Sequence, residues 1–124
     1  MPTFNGFSWS DRLELAFYSK DLRNLCEHTN CAAETFGEGV AEQLRHRLAD
    51  MIAATSPIDL LAGNRRASSK DQRCLILDLC DGFEIEFCAN HVSNPADGSG
   101  QIDWRKVNRI KIIGIGNENA ATHH

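Results

Sequence analysis

The chain has no long hydrophobic run, and no apolar stretch approaches the ~20 residues that a membrane-spanning helix needs. It also has no excess of positive charge, because its 13 basic and 17 acidic residues give a formal net charge of -4. A general binder of polyanions would be basic, so the overall charge does not suggest that class. The 124 residues show no internal repeat and no dividing linker, which predicts one domain with one core.

The beginning of the chain does not have the pattern of a secretory signal. Residues 1–12 lack both a basic segment and a long apolar segment, and we expect them to form an irregular lead-in. We therefore expect a cytoplasmic protein in a reducing compartment. An odd number of cysteines fits free thiols better than a disulfide framework. The five residues expected to be free thiols are Cys26, Cys31, Cys74, Cys80 and Cys88.

The first half of the sequence has the periodicity of helices. A short apolar run at residues 13–18 predicts a strand, and Ser19 is placed to cap the helix that follows. Over residues 32–54, apolar side chains recur every three or four positions, which predicts one long amphipathic helix. Gly37 weakens its first turns, and Pro57 begins a single short turn after its end.

The second half changes to the period of strands. Residues 74–79 are nearly all apolar, Asp81-Gly82 is a tight-turn pair, and residues 83–88 alternate between apolar and other side chains. This pattern predicts a hairpin. A polar loop at 90–100 leads to a last strand at 109–115. Helices followed by such strands predict an α+β fold, with N-terminal helices packed on a small antiparallel sheet.

Charge is unevenly distributed along the chain. Residues 1–50 hold eight acids and five bases, residues 64–73 hold four bases and one acid, and residues 104–111 hold four bases and no acid. An acidic helical half with two basic segments fits a protein with one positively charged face. An ordinary solvated surface is the alternative interpretation.

Several segments spread over residues 13–117 carry a resemblance to a known family. They are YSKDLRNLCE after the first strand, the helix GVAEQLRHRLADM, the link SPIDLLAG, the strand LILDL before the Asp-Gly turn and, after a Gly-rich loop, IDWRKVNRIKIIGI. In this order they resemble the RelE/ParE superfamily of bacterial toxins, and most of all its HigB-like branch of plasmid maintenance killer proteins. The resemblance implies a RelE-like fold, with helices on one face of a small sheet.

The resemblance also implies a function. Active members are toxins of type II toxin–antitoxin systems, which inhibit growth and are held inactive by a cognate antitoxin protein. They are mRNA interferases, endoribonucleases that cut mRNA at the ribosome without a metal or other cofactor. The ribose 2′-hydroxyl attacks the adjacent phosphate, which requires a base, cations and an acid for the leaving 5′-oxygen.

Three segments depart from the pattern of that branch. Many members have a His-Pro-Leu-Lys-like segment where this chain has residues 65–70, RRASSK, which keep the charge but lack the histidine. A Tyr-Arg pair after the hairpin turn is replaced by Phe83-Glu84, and a closing Asp-Tyr-His by Asn117-Glu118-Asn119. A carboxylate near phosphate is repelled by about 1 kcal/mol at 4 Å in water. The sequence thus predicts a non-standard site, with weak or no nuclease activity as an alternative.

Candidates for catalysis and RNA contact are the basic residues near the first hairpin strand: Arg65, Arg66, Lys70 and Arg73. The alternative is a solvated basic loop. His91, in the polar loop, is the candidate for a catalytic histidine, with an ordinary surface position as its alternative. His123 and His124 could also supply one, but residues 118–124 are expected to form a flexible tail.

Other residue patterns point to weaker candidates. Cys26-x-His28-x-x-Cys31 has ligand types suited to zinc, but no second pair has zinc-finger spacing, so we expect no metal. Trp104 is expected to anchor the core rather than to stack on a base. Two other functions remain open: a non-enzymatic module of the same fold that binds an antitoxin, and an inhibitor of gyrase of the ParE type.

Overall fold

In the computed structural model, which describes residues 12–117, three helices and a five-stranded sheet share one core. The helices are α1 (Lys20–Glu27), α2 (Thr29–Phe36) and α3 (Glu38–Ala53). The strands are β1 (Glu14–Phe17), β2 (Arg66–Ala67), β3 (Cys74–Asp78), β4 (Phe83–Ala89) and β5 (Arg109–Asn117). Among the described helices, none combines the length and the apolar character needed to cross a bilayer. The α+β class is confirmed.

The sheet is mixed, so the expectation of a purely antiparallel sheet is wrong. Its strand order is β1-β5-β4-β3-β2, in which β1 runs parallel to β5 and the other neighbours are antiparallel. Tight turns force neighbours in a hairpin to be antiparallel. The direction of β1 is not set by any turn, because the helices and the hairpin lie between it and β5 in the chain.

The long helix expected over residues 32–54 is divided at Gly37. This residue has a φ of 94°, a value that L side chains rarely adopt, and it separates α2 from α3. The predicted cap at Ser19 is confirmed, because its hydroxyl oxygen accepts a hydrogen bond of 3.1 Å from the Leu22 N–H. The short turn at Pro57–Asp59 is also confirmed.

The predicted hairpin is confirmed as β3 and β4. Asp81 and Gly82 both have positive φ, 58° and 78°, as a type I′ turn requires. Cys74 then lies opposite Cys88 in the register, and their side chains form a disulfide. The expectation of five free thiols is therefore wrong for these two residues, whereas Cys26, Cys31 and Cys80 are free. The number of cysteines could not reveal this disulfide, because the pairing of Cys74 with Cys88 depends on the register of the hairpin.

Alternation along the strands divides the sheet into two faces. Side chains directed toward the helices form the core with them, including Leu77, Ile85, Phe87, Ile110 and Ile112. Alternate residues lie on the opposite side, which we call the outer face; it carries Arg66, Asp78, Glu84, Cys88 and Lys111, among others. Because the helices cover only the inner face, the outer face is where strand residues can meet a ligand.

Candidate functional site

A cavity of about 420 Å³ lies on the outer face of the sheet. Its lining residues are Tyr18, Asp71, Arg73, Cys88, Ala89, Asn90, Lys111 and Ile113. We call it the outer-face cavity. Its lining combines two basic residues, an acidic one, a tyrosine and one cysteine of the disulfide.

The strand register explains why these residues meet. Cys74, Cys88 and Lys111 lie in one row across β3, β4 and β5, and Ala16 of β1 continues it. Tyr18 is two positions beyond Ala16 and so has its side chain on the same face. The Tyr18 backbone N–H donates to the carbonyl of Ile112 at 2.9 Å, which holds the phenol at the edge of the cavity.

A pair of opposite charges lies in the cavity wall. The Arg73 guanidinium donates to both carboxylate oxygens of Asp71, at 3.1 and 2.9 Å. This hydrogen bonding lowers the pKa of the Asp71 carboxyl and raises that of Arg73. Both groups are therefore charged at neutral pH, and Lys111 adds a second cation to the wall.

A second cavity, of about 370 Å³, adjoins the first through Arg73. Its other lining residues are Ala67, Gln72, Gly100, Gln101, Ile102 and Trp104. Trp104 packs against the core as expected and also lines this cavity. Arg73 thus lies between the outer-face cavity and a second cavity whose lining mixes polar residues with Ile102 and Trp104.

The four basic residues predicted from the sequence do not lie together at one site in the structure. The Arg65 Nη1 atom donates to the carbonyls of Pro57, Ile58 and Leu60, at 2.8, 3.0 and 2.9 Å. Its guanidinium therefore holds together the short turn at Pro57–Asp59 and does not reach the cavity.

Arg66 and Lys70 also lie apart from the cavity. Arg66 forms ion pairs on the outer face with Asp78 of β3 and Glu84 of β4. Glu84 is thus paired with a cation from β2, the next strand but one. Lys70 is exposed in the loop before β3. Of the four basic candidates, Arg73 is the one that lines the outer-face cavity.

His91 has a role in the loop rather than in the cavity. Its Nε2 atom accepts a hydrogen bond of 3.2 Å from the Asn108 backbone N–H, and the His91 backbone N–H donates to the Asn94 Oδ1 atom at 3.0 Å. It therefore ties the polar loop to the start of β5. Asn117, at the end of β5, donates from its side chain to the Asp81 carbonyl at 2.9 Å. Residues 118–124, which include His123 and His124, lie outside the described part of the chain.

The cysteines give no support to the zinc pattern at residues 26–31. Burial, with a smaller effect of Glu27, raises the pKa of the Cys26 thiol to about 12. Within residues 12–117, the possible ligand atoms that lie within 4.8 Å of one another are instead those of Asp71, Cys74 and Cys88. Two of these three are joined in the disulfide and are not thiolates.

Sequence reasoning missed Tyr18 and Lys111. Lys111 could have been found from alternation, because Ile110 and Ile112 on either side of it belong in the core. Tyr18 could not, since its position depends on the parallel pairing of β1 with β5. Comparison of the chain with protein-family models, with curated proteins and with solved structures found no match.

Proposed function

We propose that this chain is the toxin component of a type II toxin–antitoxin pair and that it cuts mRNA at the ribosome as a metal-independent endoribonuclease. The observation that carries the proposal is the meeting of Arg73, Lys111 and Tyr18 at the outer-face cavity. Two cations and a phenol are side chains suited to phosphate binding and proton transfer. Lys111 also belongs to the segment IDWRKVNRIKIIGI, which carries the family resemblance.

The reaction that fits these groups is transesterification. The 2′-oxygen of the ribose forms a bond to phosphorus while the bond from phosphorus to the 5′-oxygen breaks, leaving a 2′,3′-cyclic phosphate and a 5′-hydroxyl. Arg73 and Lys111 bind the non-bridging oxygens, on which charge develops. The Asp71 carboxylate accepts the 2′ proton, and the Tyr18 phenol donates a proton to the leaving oxygen.

This site would be a slow one. Since hydrogen bonds from Arg73 lower the pKa of Asp71, its carboxylate is a weak base near neutral pH. The same guanidinium must also divide its donors between Asp71 and the substrate. A toxin with these properties agrees with the departures from the family pattern at residues 65–70, 83–84 and 117–119.

The proposal is tested by inducing the chain in bacteria and by incubating it with a translating extract. We expect growth arrest and mRNA with new 5′-hydroxyl ends. Arg73→Gln and Lys111→Gln should each lower the cleavage rate at least ~10-fold, because each removes a donor to the developing charge. Arg105→Gln is the matched control, since Arg105 also pairs with a carboxylate two positions before it, Asp103, but does not line the cavity.

Two results would contradict this proposal. If the wild-type chain neither arrests growth nor cuts mRNA, the chain is not an mRNA interferase. If it cuts mRNA and the Arg73 and Lys111 variants cut equally well, the reaction takes place away from the outer-face cavity.

A second candidate function is a non-enzymatic module that binds an antitoxin. The observation that favours it is the pairing of Arg66 with Asp78 and Glu84, in which two carboxylates of the chain already hold this cation of the outer face. Such a module should form a stable complex with the protein of the adjacent gene and leave mRNA intact. Co-expression with that protein, followed by purification and the cleavage assay, separates the two functions.

A further inference from the structure

The Cys74–Cys88 disulfide is asymmetric in its accessibility. Cys88 lines the outer-face cavity, whereas Cys74 has no exposed surface. Exchange of a disulfide requires that a thiolate reach one sulfur along an open path. Cys88, which lines the cavity and is only partly buried, is therefore the half of the disulfide that an incoming thiolate can approach.

The lining of the cavity still has a net positive charge that can attract an anionic thiol, because Arg73 and Lys111 outnumber its one acidic residue, Asp71, whose carboxylate lies within 4.8 Å of the Cys88 sulfur. Arg73 directly precedes Cys74 in the chain, and Lys111 lies opposite Cys88 in the register of β4 and β5. Both cations line the cavity together with Cys88. Nearby cations favour thiolates over thiols and attract carboxylate groups of a ligand.

The size of the cavity limits the ligand. A volume of about 420 Å³ lies in the range of small-molecule sites and can hold a short peptide. A larger protein thiol would have to reach a sulfur inside this recess. A small thiol with carboxylate groups fits both the volume and the charge.

We propose that the Cys74–Cys88 disulfide exchanges with a small peptide thiol that carries carboxylates, bound in the outer-face cavity, and that Cys88 is the sulfur attacked. The proposal does not rest on RNA cleavage, because it concerns the covalent state of the cysteines alone. Disulfides of this exchangeable kind are known in cytosolic proteins, where they are usually transient, catalytic or redox-sensing.

The exchange proceeds in two balanced steps. The ligand thiolate forms a bond to the Cys88 sulfur while the bond between Cys88 and Cys74 breaks, and the electron pair leaves on Cys74, which takes up a proton. A second ligand thiolate then attacks the ligand sulfur of the mixed disulfide and releases Cys88 as a thiolate. The protein disulfide is reduced by two electrons, and two ligand thiols are oxidised to one ligand disulfide.

The first test measures the rate of reduction of the wild-type chain by glutathione and by 2-mercaptoethanol at equal thiolate concentrations. Glutathione carries carboxylates and 2-mercaptoethanol does not. We expect glutathione to react about fivefold faster at low salt, as one screened charge contact implies, and this preference should shrink at 1 M salt. Equal rates with the two thiols would overturn the proposal.

Matched variants locate the binding site. Arg73→Gln and Lys111→Gln should each lower the glutathione rate severalfold more than the 2-mercaptoethanol rate. Arg105→Gln, which removes an arginine outside the cavity, should change neither. If all three variants behave like the wild type, the cavity does not bind the thiol.

Variants that lack one of the two disulfide cysteines identify the sulfur that is attacked. With glutathione disulfide as the probe, Cys74→Ser should form a mixed disulfide at Cys88, whereas Cys88→Ser should leave Cys74 unmodified, as read by mass spectrometry of peptides. Exposed Cys31 serves as the internal reference in each sample. A mixed disulfide at Cys74 would overturn the assignment. The wild-type rates test the proposal without these variants, and none of the measurements requires RNA or a ribosome.

Discussion

At the scale of single residues, three arginines that are close together in sequence have different environments. Arg65 holds backbone carbonyls, Arg66 is paired with two carboxylates on the outer face, and Arg73 lines both cavities. All three carry the same charge, and sequence composition treats them alike. The direction of each guanidinium depends on which loop or strand carries it, so only Arg73 remains a candidate for ligand binding.

Arg65 is expected to stabilise the fold rather than to act on a ligand. Arg65→Ala should lower the free energy of unfolding by about 1–3 kcal/mol, because the carbonyls of Pro57 and Leu60 lose a donor in a partly buried turn. Arg65→Lys should also destabilise, since a single ammonium cannot reproduce the planar donor geometry. Urea unfolding measures both.

The control for Arg65 is another arginine with an ordinary ion pair. Arg45→Ala removes an exposed guanidinium that pairs with Glu42 on α3, and it should leave the urea midpoint nearly unchanged. If Arg65→Ala were no more destabilising than Arg45→Ala, the three carbonyl contacts would contribute nothing measurable to stability.

At the scale of elements, two positions with nearly the same positive φ require glycine for different reasons. Gly37, between α2 and α3, has a φ of 94°, and an added Cβ would meet no atom within 4 Å. Gly63, in the loop before β2, has a φ of 96°, and an added Cβ would lie 2.8 Å from Arg47 Nε and 3.2 Å from Leu77 Cβ. Position 37 requires glycine only for its backbone conformation. Position 63 requires it also because there is no room for a Cβ atom.

The two alanine substitutions should therefore separate strain from overlap. Gly37→Ala should cost about 1–3 kcal/mol of unfolding free energy from backbone conformation alone. Gly63→Ala should cost about 1–3 kcal/mol more, because Leu77 is fixed in the core and the Arg47 hydrogen bond to the Asp78 carbonyl would be displaced. Both are measured by urea unfolding.

Gly98→Ala is the control for these two substitutions. Its own φ is not in the positive range, and an added Cβ would meet nothing within 4 Å, so its effect should be close to zero. Equal losses for Gly37→Ala and Gly63→Ala would mean that the contacts of Gly63 relax without cost.

At the scale of the whole molecule, sequence patterns predicted the parts that depend on near neighbours. The Ser19 cap and the Asp81-Gly82 hairpin are local, and both are confirmed. The parallel pairing of β1, the Cys74–Cys88 bond and the cavity join residues that are distant in sequence. No local pattern encodes such pairings: alternation can place Lys111 on the outer face, but not beside Cys88 and Tyr18.

The stability of the whole fold depends on pH through carboxyl groups whose pKa is lowered in the folded state. Within residues 12–117, those with a lowered pKa are Glu42, Asp59, Asp71, Asp97 and Asp103. Side-chain hydrogen bonds are the largest cause in each case, from arginine for three of them and from a hydroxyl for Asp59 and Asp97. A lowered pKa in the folded state means that the unfolded state binds protons first as the pH falls, so these groups stabilise the fold only while they are charged.

The protein should therefore lose stability on the acid side. The urea midpoint should stay level from pH 7 to about pH 5.5 and fall below about pH 4, where unfolded carboxylates take up protons. Salt at 1 M should reduce this fall without abolishing it, because it screens the arginine pairs more than the hydroxyl bonds of Asp59 and Asp97. Asp59→Asn should have a smaller fall than the wild type, whereas Asp50→Asn, an exposed change on α3, should not. A midpoint that rises below pH 4 would show that the carboxylates repel one another more than their partners stabilise them.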